Sequence, residues 1–300
     1  MDIKVKNAFN IDFIGIGATK CATTWIYKCL EEHPQICGSS IKEINFFNIP
    51  FRYKKGIEYY KKFFEHCREN QVRGEFSSEY FWRPEVPKRI YDYFPNVKLI
   101  LSLRDPRERA YSHYRFSKRI QGRVGNYKSF EDAILKSEPL RDTGFYAKHL
   151  KDYFEYFSRE QILILFFEDI KKNPKDVIQR IYKFLEVDST FLPTSVQKKV
   201  NPTGSRRKRV KLPILNSLAY KIWDWAERRC FSEKFFTKTG LRKTGRRIIL
   251  KNKESYKSEK PEKTSLSELS KETKQYLDSL YKEDIEDLEK LLNRDLNSWK

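Results

Sequence analysis

The sequence predicts an α/β fold, a three-layer sandwich of the P-loop type with a central parallel sheet flanked by helices. Three observations carry this. Short apolar runs, IDFIGI at 11–16, VKLILSL at 97–103 and QILILFF at 161–167, have the unbroken hydrophobicity of strands buried on both faces. Amphipathic helical stretches alternate with them, as crossovers in a parallel sheet require. The 300-residue chain is 39% hydrophobic and 15% aromatic, enough for one large core despite 34% charged residues. A single domain over 1–300 is expected, with 200–265 as a basic helical and loop segment inside it.

The elements follow in order. The first strand runs into Gly15, Gly17 and Lys20, and then into a helix from about Thr23 that His33-Pro34 stops. KEINFFNI at 42–49 is polar, then aromatic, and 57–66 reads as a helix. VRGEFSSEYFW at 72–82 is a strand entering a loop. Arg104-Asp105-Pro106 opens a helix with proline in its first turn. Residues 145–158 form an aromatic amphipathic helix, and 174–186 place Val177, Ile178, Ile181 and Leu185 at helical spacing. Past Val200 the texture turns basic, 250–265 reads as a lysine-rich loop, and 267–292 is a last amphipathic helix.

The formal net charge is +20, which calls for a polyanionic partner: nucleic acid, anionic lipid, acidic glycan or nucleotide. Residues 198–260 hold 20 Lys and Arg against 5 Asp and Glu, so most of the excess sits there. The segment is either a solvated surface or a seat for an anionic ligand or membrane. Cys21, Cys29, Cys37, Cys67 and Cys230 are odd in number and scattered. They suggest reduced thiols in a cytoplasmic compartment rather than a disulfide framework or zinc pattern. The polar start MDIKVKNAFN has no signal-like apolar region, and no run approaches a membrane span in length. The expectation is a cytoplasmic chain, soluble or membrane-peripheral, the peripheral contact falling in 205–250.

Two constellations carry chemistry. In Gly15-Ile16-Gly17-Ala18-Thr19-Lys20-Cys21-Ala22-Thr23-Thr24-Trp25, a glycine turn between strand and helix aims backbone N–H groups and a helix dipole at an oxyanion. Lys20 adds a charge, and Thr23 and Thr24 add hydroxyls. A Walker A loop needs G-x-x-x-x-G-K-[ST]. Here Thr19 precedes Lys20 and Cys21 follows it, so the second glycine and the magnesium-binding hydroxyl are missing. In the second constellation, LILSLRDPRERAYSHY at 99–114, a buried strand delivers Arg104 to its carboxyl end. Ligands sit at that end in open parallel sheets. Ser112 follows two helical turns on. Each stretch alone also reads as ordinary structure, a strand–helix turn or a salt-bridged helix start.

Together the two stretches resemble the PAPS-dependent sulfotransferases, where PAPS is 3′-phosphoadenosine 5′-phosphosulfate. The first looks like that family's 5′-phosphosulfate loop, and the second like its 3′-phosphate motif with Arg104 and Ser112 at the binding positions. EINFF at 43–47, TGFYAKHLKDYF at 143–154, ILILFFEDIKKNPKDVIQRIYKFLEV and the tail LYKEDIEDLEKLLNRDLNSW are similar to the heparan-sulfate-type and bacterial carbohydrate branch. The resemblance implies sulfuryl transfer from PAPS to an acceptor hydroxyl on a carbohydrate, with no metal and no nucleic-acid partner. It implies Glu43 and Lys20 as catalytic, with Glu43 the general base. It implies a donor site of Lys20, Cys21, Ala22, Thr23, Thr24, Trp25, Arg104 and Ser112, closed over by a late basic loop where Lys257 and Lys260 are candidates. Two departures stand out: Ala22 replaces a glycine, which narrows the phosphosulfate's approach, and Phe76 replaces a lysine. An ordinary surface pair with Lys42 is the alternative for Glu43, and His113 is a poorer base. The rival functions are a P-loop nucleotide kinase, against which no Walker B carboxylate is evident, and a non-enzymatic polyanion- or membrane-binding protein.

Overall fold

The computed structural model describes residues 9–117, 127–197 and 269–299, and the backbone of 207–210 and 253–256. Five strands form one all-parallel sheet: β1 (Phe13–Gly17), β2 (Ile36–Gly38), β3 (Val72–Phe76), β4 (Lys98–Leu103) and β5 (Ile162–Phe166). The order is β2-β3-β1-β4-β5, so the chain reverses its direction of winding beside β1. In open parallel sheets such a reversal marks the carboxyl-edge position where ligands bind.

The longer helices are α1 (Thr23–Glu31), α2 (Val86–Tyr93), α3 (Pro106–Phe116), α4 (Tyr146–Phe154), α5 (Pro174–Phe184) and α6 (Lys271–Leu292). Alternation along the buried strands sends side chains to two cores. Ile14, Ile16, Leu99, Leu101 and Leu103 face Ile90, Leu150, Tyr153, Leu277 and Tyr281, burying α2, α4 and α6 on one side. Phe13, Phe76, Ile100 and Leu165 face Ile26, Leu30, Ile178 and Ile181, burying α1 and α5 on the other. The three layers are those the sequence predicts. Burying each such side chain contributes roughly 1.5–3 kcal/mol.

Two expectations need correction. Cys37 and Cys67 are joined in a disulfide, although scattered spacing pointed to reduced thiols; Cys21 and Cys29 are buried and take part in no disulfide. The partners are 30 residues apart, and the fold brings the turn after the 3₁₀ segment Lys62–Phe64 back against the edge strand β2. Residues 253–256, read as loop, form instead a strand β7 (Lys253–Tyr256) antiparallel to β6 (Arg207–Val210). The partner strand lies far off in sequence, which local patterning does not reveal. The remainder of the 200–265 segment, including Lys257 and Lys260, lies outside the described residues. Among the described residues no helix is long and apolar enough to cross a membrane.

Candidate active site

The glycine loop leaves β1 at the centre of the carboxyl edge. Gly15 is required because a Cβ there would fall 2.1 Å from the Phe76 ring, and Gly17 because its φ is +148°. Beyond it Ala18 donates its N–H to Ser102 of β4 at 2.8 Å. Lys20 and Ala22 both take the left-handed conformation, at φ 74° and 66°. This turns the chain sharply into α1, at a cost of roughly 1–2 kcal/mol for a side-chain-bearing residue. Ala22 is the residue before the helix and provides no side-chain cap. No side chain therefore competes for the N–H groups at the start of the helix, where an anion can bind.

The expected phosphate cradle of Cys21–Trp25 is narrower than the sequence suggests. Cys21 N–H is spent on Ala18 O at 3.2 Å and Trp25 N–H on Ala22 O at 2.8 Å. Trp25 donates its indole N–H to Ser195 O at 3.0 Å, so its ring anchors the helix. The N–H groups of Ala22, Thr23 and Thr24 stand outside these turn bonds. Burial pushes the Cys21 thiol up to about 12, so a buried, neutral thiol stands where a Walker loop has its metal-binding hydroxyl.

Glu43 comes to this loop through one serine. Its backbone N–H bonds Phe76 O at 2.9 Å, which carries the segment leaving β2 alongside the end of β3. Its carboxylate accepts the Ser78 N–H at 2.8 Å and the Ser78 hydroxyl at 3.0 Å. Ser78 O in turn accepts the Thr19 hydroxyl at 3.1 Å, so Glu43 and the loop share Ser78. The backbone of Glu43 is itself left-handed, φ 65°. Strain of that kind persists where surrounding bonds over-determine it, and it concentrates at functional sites. Lys42 also pairs with the Glu43 carboxylate. The surface-pair alternative thus contains a true contact, but the two bonds from Ser78 turn the carboxylate towards the loop.

The other groups near the loop that could take a proton, Glu79, His113 and Glu75, are committed elsewhere. Glu79 accepts from the Thr19 hydroxyl and the Trp82 indole. Burial, then Arg109 and Lys20, pushes the His113 imidazole down to about 3, a feeble base. Glu75 is fully buried, with hydroxyls of Ser77, Tyr80 and Tyr60 at 2.7, 2.8 and 3.1 Å. Burial raises its carboxyl to about 7. Those hydroxyls also serve the Glu43 segment: Ser77 Oγ accepts Asn45 N–H and Tyr80 Oη accepts Phe46 N–H, each at 2.9 Å.

On the other side of β1, Arg104 ends the β4 run with its side chain only 8% exposed. It bonds Glu108 at 2.6 Å and lies 4.7 Å from the Phe167 ring centre. Tyr146 of α4 donates its hydroxyl to Arg104 O at 2.8 Å, fixing the backbone that aims the guanidinium. Ser112 stands half-buried on α3. One turn further on that face is Phe116, and the Lys20 ammonium sits 3.9 Å from its ring centre. Lys20, Glu43 and Arg104 therefore gather at one edge, with Ser112 on the helix Lys20 leans against. Phe76 does not join them: its ring is buried under Gly15 and edge-on to Tyr27 at 6.2 Å, so β3 supplies no second cation there. Sequence reasoning missed Ser78 and Tyr146, whose links span dozens of residues.

A family model described as a sulfotransferase domain matches residues 10–217. The chain belongs to the sulfotransferase family. Heparan sulfate glucosamine 3-O-sulfotransferase 5 of Mus musculus is 32% identical over 184 residues, covering 57% of this chain and 52% of the relative. The chain thus spans about half the length of that curated relative. Among solved structures, a sulfotransferase from Alicyclobacillus acidocaldarius aligns with TM-score 0.67 and 22% identity, over 97% of this chain and 99% of that one. Mouse sulfotransferase SULT7A1, solved in complex with PAP, aligns with TM-score 0.52 and 15% identity over 92% and 85%. These two likenesses are likenesses of fold.

Proposed function

We propose that this protein transfers the sulfuryl group of PAPS to a hydroxyl of a carbohydrate. The observation that carries the reading is the serine bridge. Ser78 holds the Glu43 carboxylate through its N–H and hydroxyl and holds the glycine loop through Thr19. A general base is thereby tied to a phosphate-type loop. The curated relative is named for 3-O-sulfation of heparan sulfate glucosamine, which supports a sugar hydroxyl, and the PAP-bound neighbour supports the donor.

The roles follow from charge. The acceptor oxygen attacks sulfur, the bond from sulfur to the 5′-phosphate oxygen breaks, and PAP leaves with that electron pair. Glu43 takes the acceptor's proton. Lys20 neutralises the bridging oxygen as it becomes anionic, a stabilisation strongest in the transition state. The first-turn N–H groups at Ala22–Thr24 and the hydroxyls of Thr23 and Thr24 hold the 5′-phosphate. Arg104 and Ser112 hold the 3′-phosphate, and Lys257 and Lys260, outside the described residues, are the candidates to close over the nucleotide. Lysine and arginine neutralise the donor in this scheme, so it calls on no metal. The basic charge of the 205–250 segment supports contact with an anionic membrane surface.

The test is transfer of label from ³⁵S-PAPS to a panel of glycans and simple alcohols, beside a mixture with ATP and magnesium. Labelled glycan with ATP untouched is the expected result. Consumption of ATP, or no labelled acceptor of any kind, would overturn it.

A further inference from the structure

We propose that Cys37, His66 and Cys67 form a binding site for a soft divalent cation of the zinc class in the reduced protein. The disulfide and the metal would then be alternative cross-links between the same two backbone positions. The inference is independent of the sulfotransferase chemistry.

Three kinds of observation support it. The donor set is right: two sulfurs and an imidazole suit zinc and its neighbours. The placement is right as well. His66 Nε2 lies 3.5 Å from Cys37 Sγ, and the three donor atoms are all within 4.8 Å of one another. Zinc–sulfur bonds of about 2.3 Å and zinc–nitrogen bonds of about 2.0–2.1 Å put tetrahedral donors roughly 3.6–3.8 Å apart. A disulfide has no need of an imidazole facing it, whereas a metal site does.

The third observation is that the backbone does not depend on the disulfide to bring these groups together. Cys37 is held in β2 by its register with Arg73 of β3. Cys67 N–H bonds Phe64 O at 3.0 Å, and Ser40 N–H bonds Phe63 O at 2.8 Å, lacing the turn to the end of β2. With the Cα atoms 5.7 Å apart, side-chain rotation suffices to separate the sulfurs to the metal-binding distance. Cys37 is buried, while His66 is exposed and Cys67 half-buried. A cation can enter from their side, and water can fill the fourth position.

The exchange balances with a phosphine as reductant. The disulfide accepts two electrons and two protons and yields two thiols, the phosphine takes the oxygen of one water, and the cation then displaces the two thiol protons.

The experiment uses the full chain, reduced anaerobically with a phosphine, freed of it and titrated with Co²⁺. The expected result is uptake of about one ion per chain with sulfur-to-cobalt charge-transfer absorption, abolished by Zn²⁺. C37S and C67S should lose it, H66A should bind at least about tenfold more weakly, and C230S should keep it. Should C37S fail to fold, C67S and H66A at the more exposed positions carry the test. No charge-transfer band in the reduced wild type, a band unchanged in C67S, or one lost with Cys230 would overturn the proposal.

Discussion

Glu75, on β3, and Glu43, beside the end of that strand, stand in opposite settings. Glu43 keeps 33% of its side chain exposed and is held by Ser78 and Lys42. Glu75 is wholly enclosed and receives three hydroxyls. A carboxylate that must meet a substrate needs both an opening and anchors, and Glu43 has them. A carboxyl sealed under tyrosines cannot reach an acceptor. It can organise the two hydroxyls that hold the backbone of Asn45 and Phe46. The proposed function assigns the chemistry to Glu43 and a scaffold role to Glu75, and substitution can test the division.

The largest effect is expected at Glu43. Glu43→Gln should lower steady-state turnover by about 10²–10⁴, while the denaturation midpoint and PAP affinity stay near wild type. Next comes Lys20→Ala. Turnover should fall by about 10²–10³, more than nucleotide affinity falls, because in the proposed scheme the charge acts mainly in the transition state. Equal losses in both would make Lys20 a positioning residue.

Glu75 should appear in stability. Its folded carboxyl is raised by burial from 4.5 to about 7. The folded state therefore holds a proton that the unfolded chain has released between these values. The associated stability is complete below about pH 4.5 and is lost as pH rises through about 7. It amounts to on the order of 3 kcal/mol. Denaturant titrations should show the difference between wild type and Glu75→Gln changing across that window. A constant difference would remove Glu75 as its source.

Arg104→Ala should weaken PAP by about 1.5–3 kcal/mol in calorimetry and leave 5′-AMP nearly unchanged. The smallest effect concerns the loop. Ala22→Gly relieves a left-handed alanine, and thermal unfolding should show a gain of about 0.5–1 kcal/mol.

Much of this was legible in the sequence because it is local. The apolar runs gave β1, β4 and β5, and the glycine loop and the Arg104 helix start fell where expected. β2 escaped notice because three residues, Ile36–Gly38, carry no period, and pairing with β3 makes them a strand. Glu43 was reachable by resemblance and by residue type but not by its setting, since nothing near it in sequence shows that Ser78, 35 residues on, will hold it. The breadth of the Cys21–Trp25 cradle was overestimated because residue types do not reveal which N–H groups the turn consumes. Cys37 and Cys67 looked unrelated for the same reason that β6 and β7 did, since chain reversal rather than spacing makes them neighbours.

The most direct test of the account takes binding out of the comparison. The protein is saturated with ³⁵S-PAPS, mixed with excess glycan acceptor and quenched through a single turnover, wild type beside Glu43→Gln. The account predicts about one sulfuryl group moved per wild-type chain, and a Glu43→Gln complex that holds its PAPS yet transfers slower by about 10²–10⁴. Equal rates in the two proteins would contradict it, and would place the proton's acceptor somewhere other than Glu43.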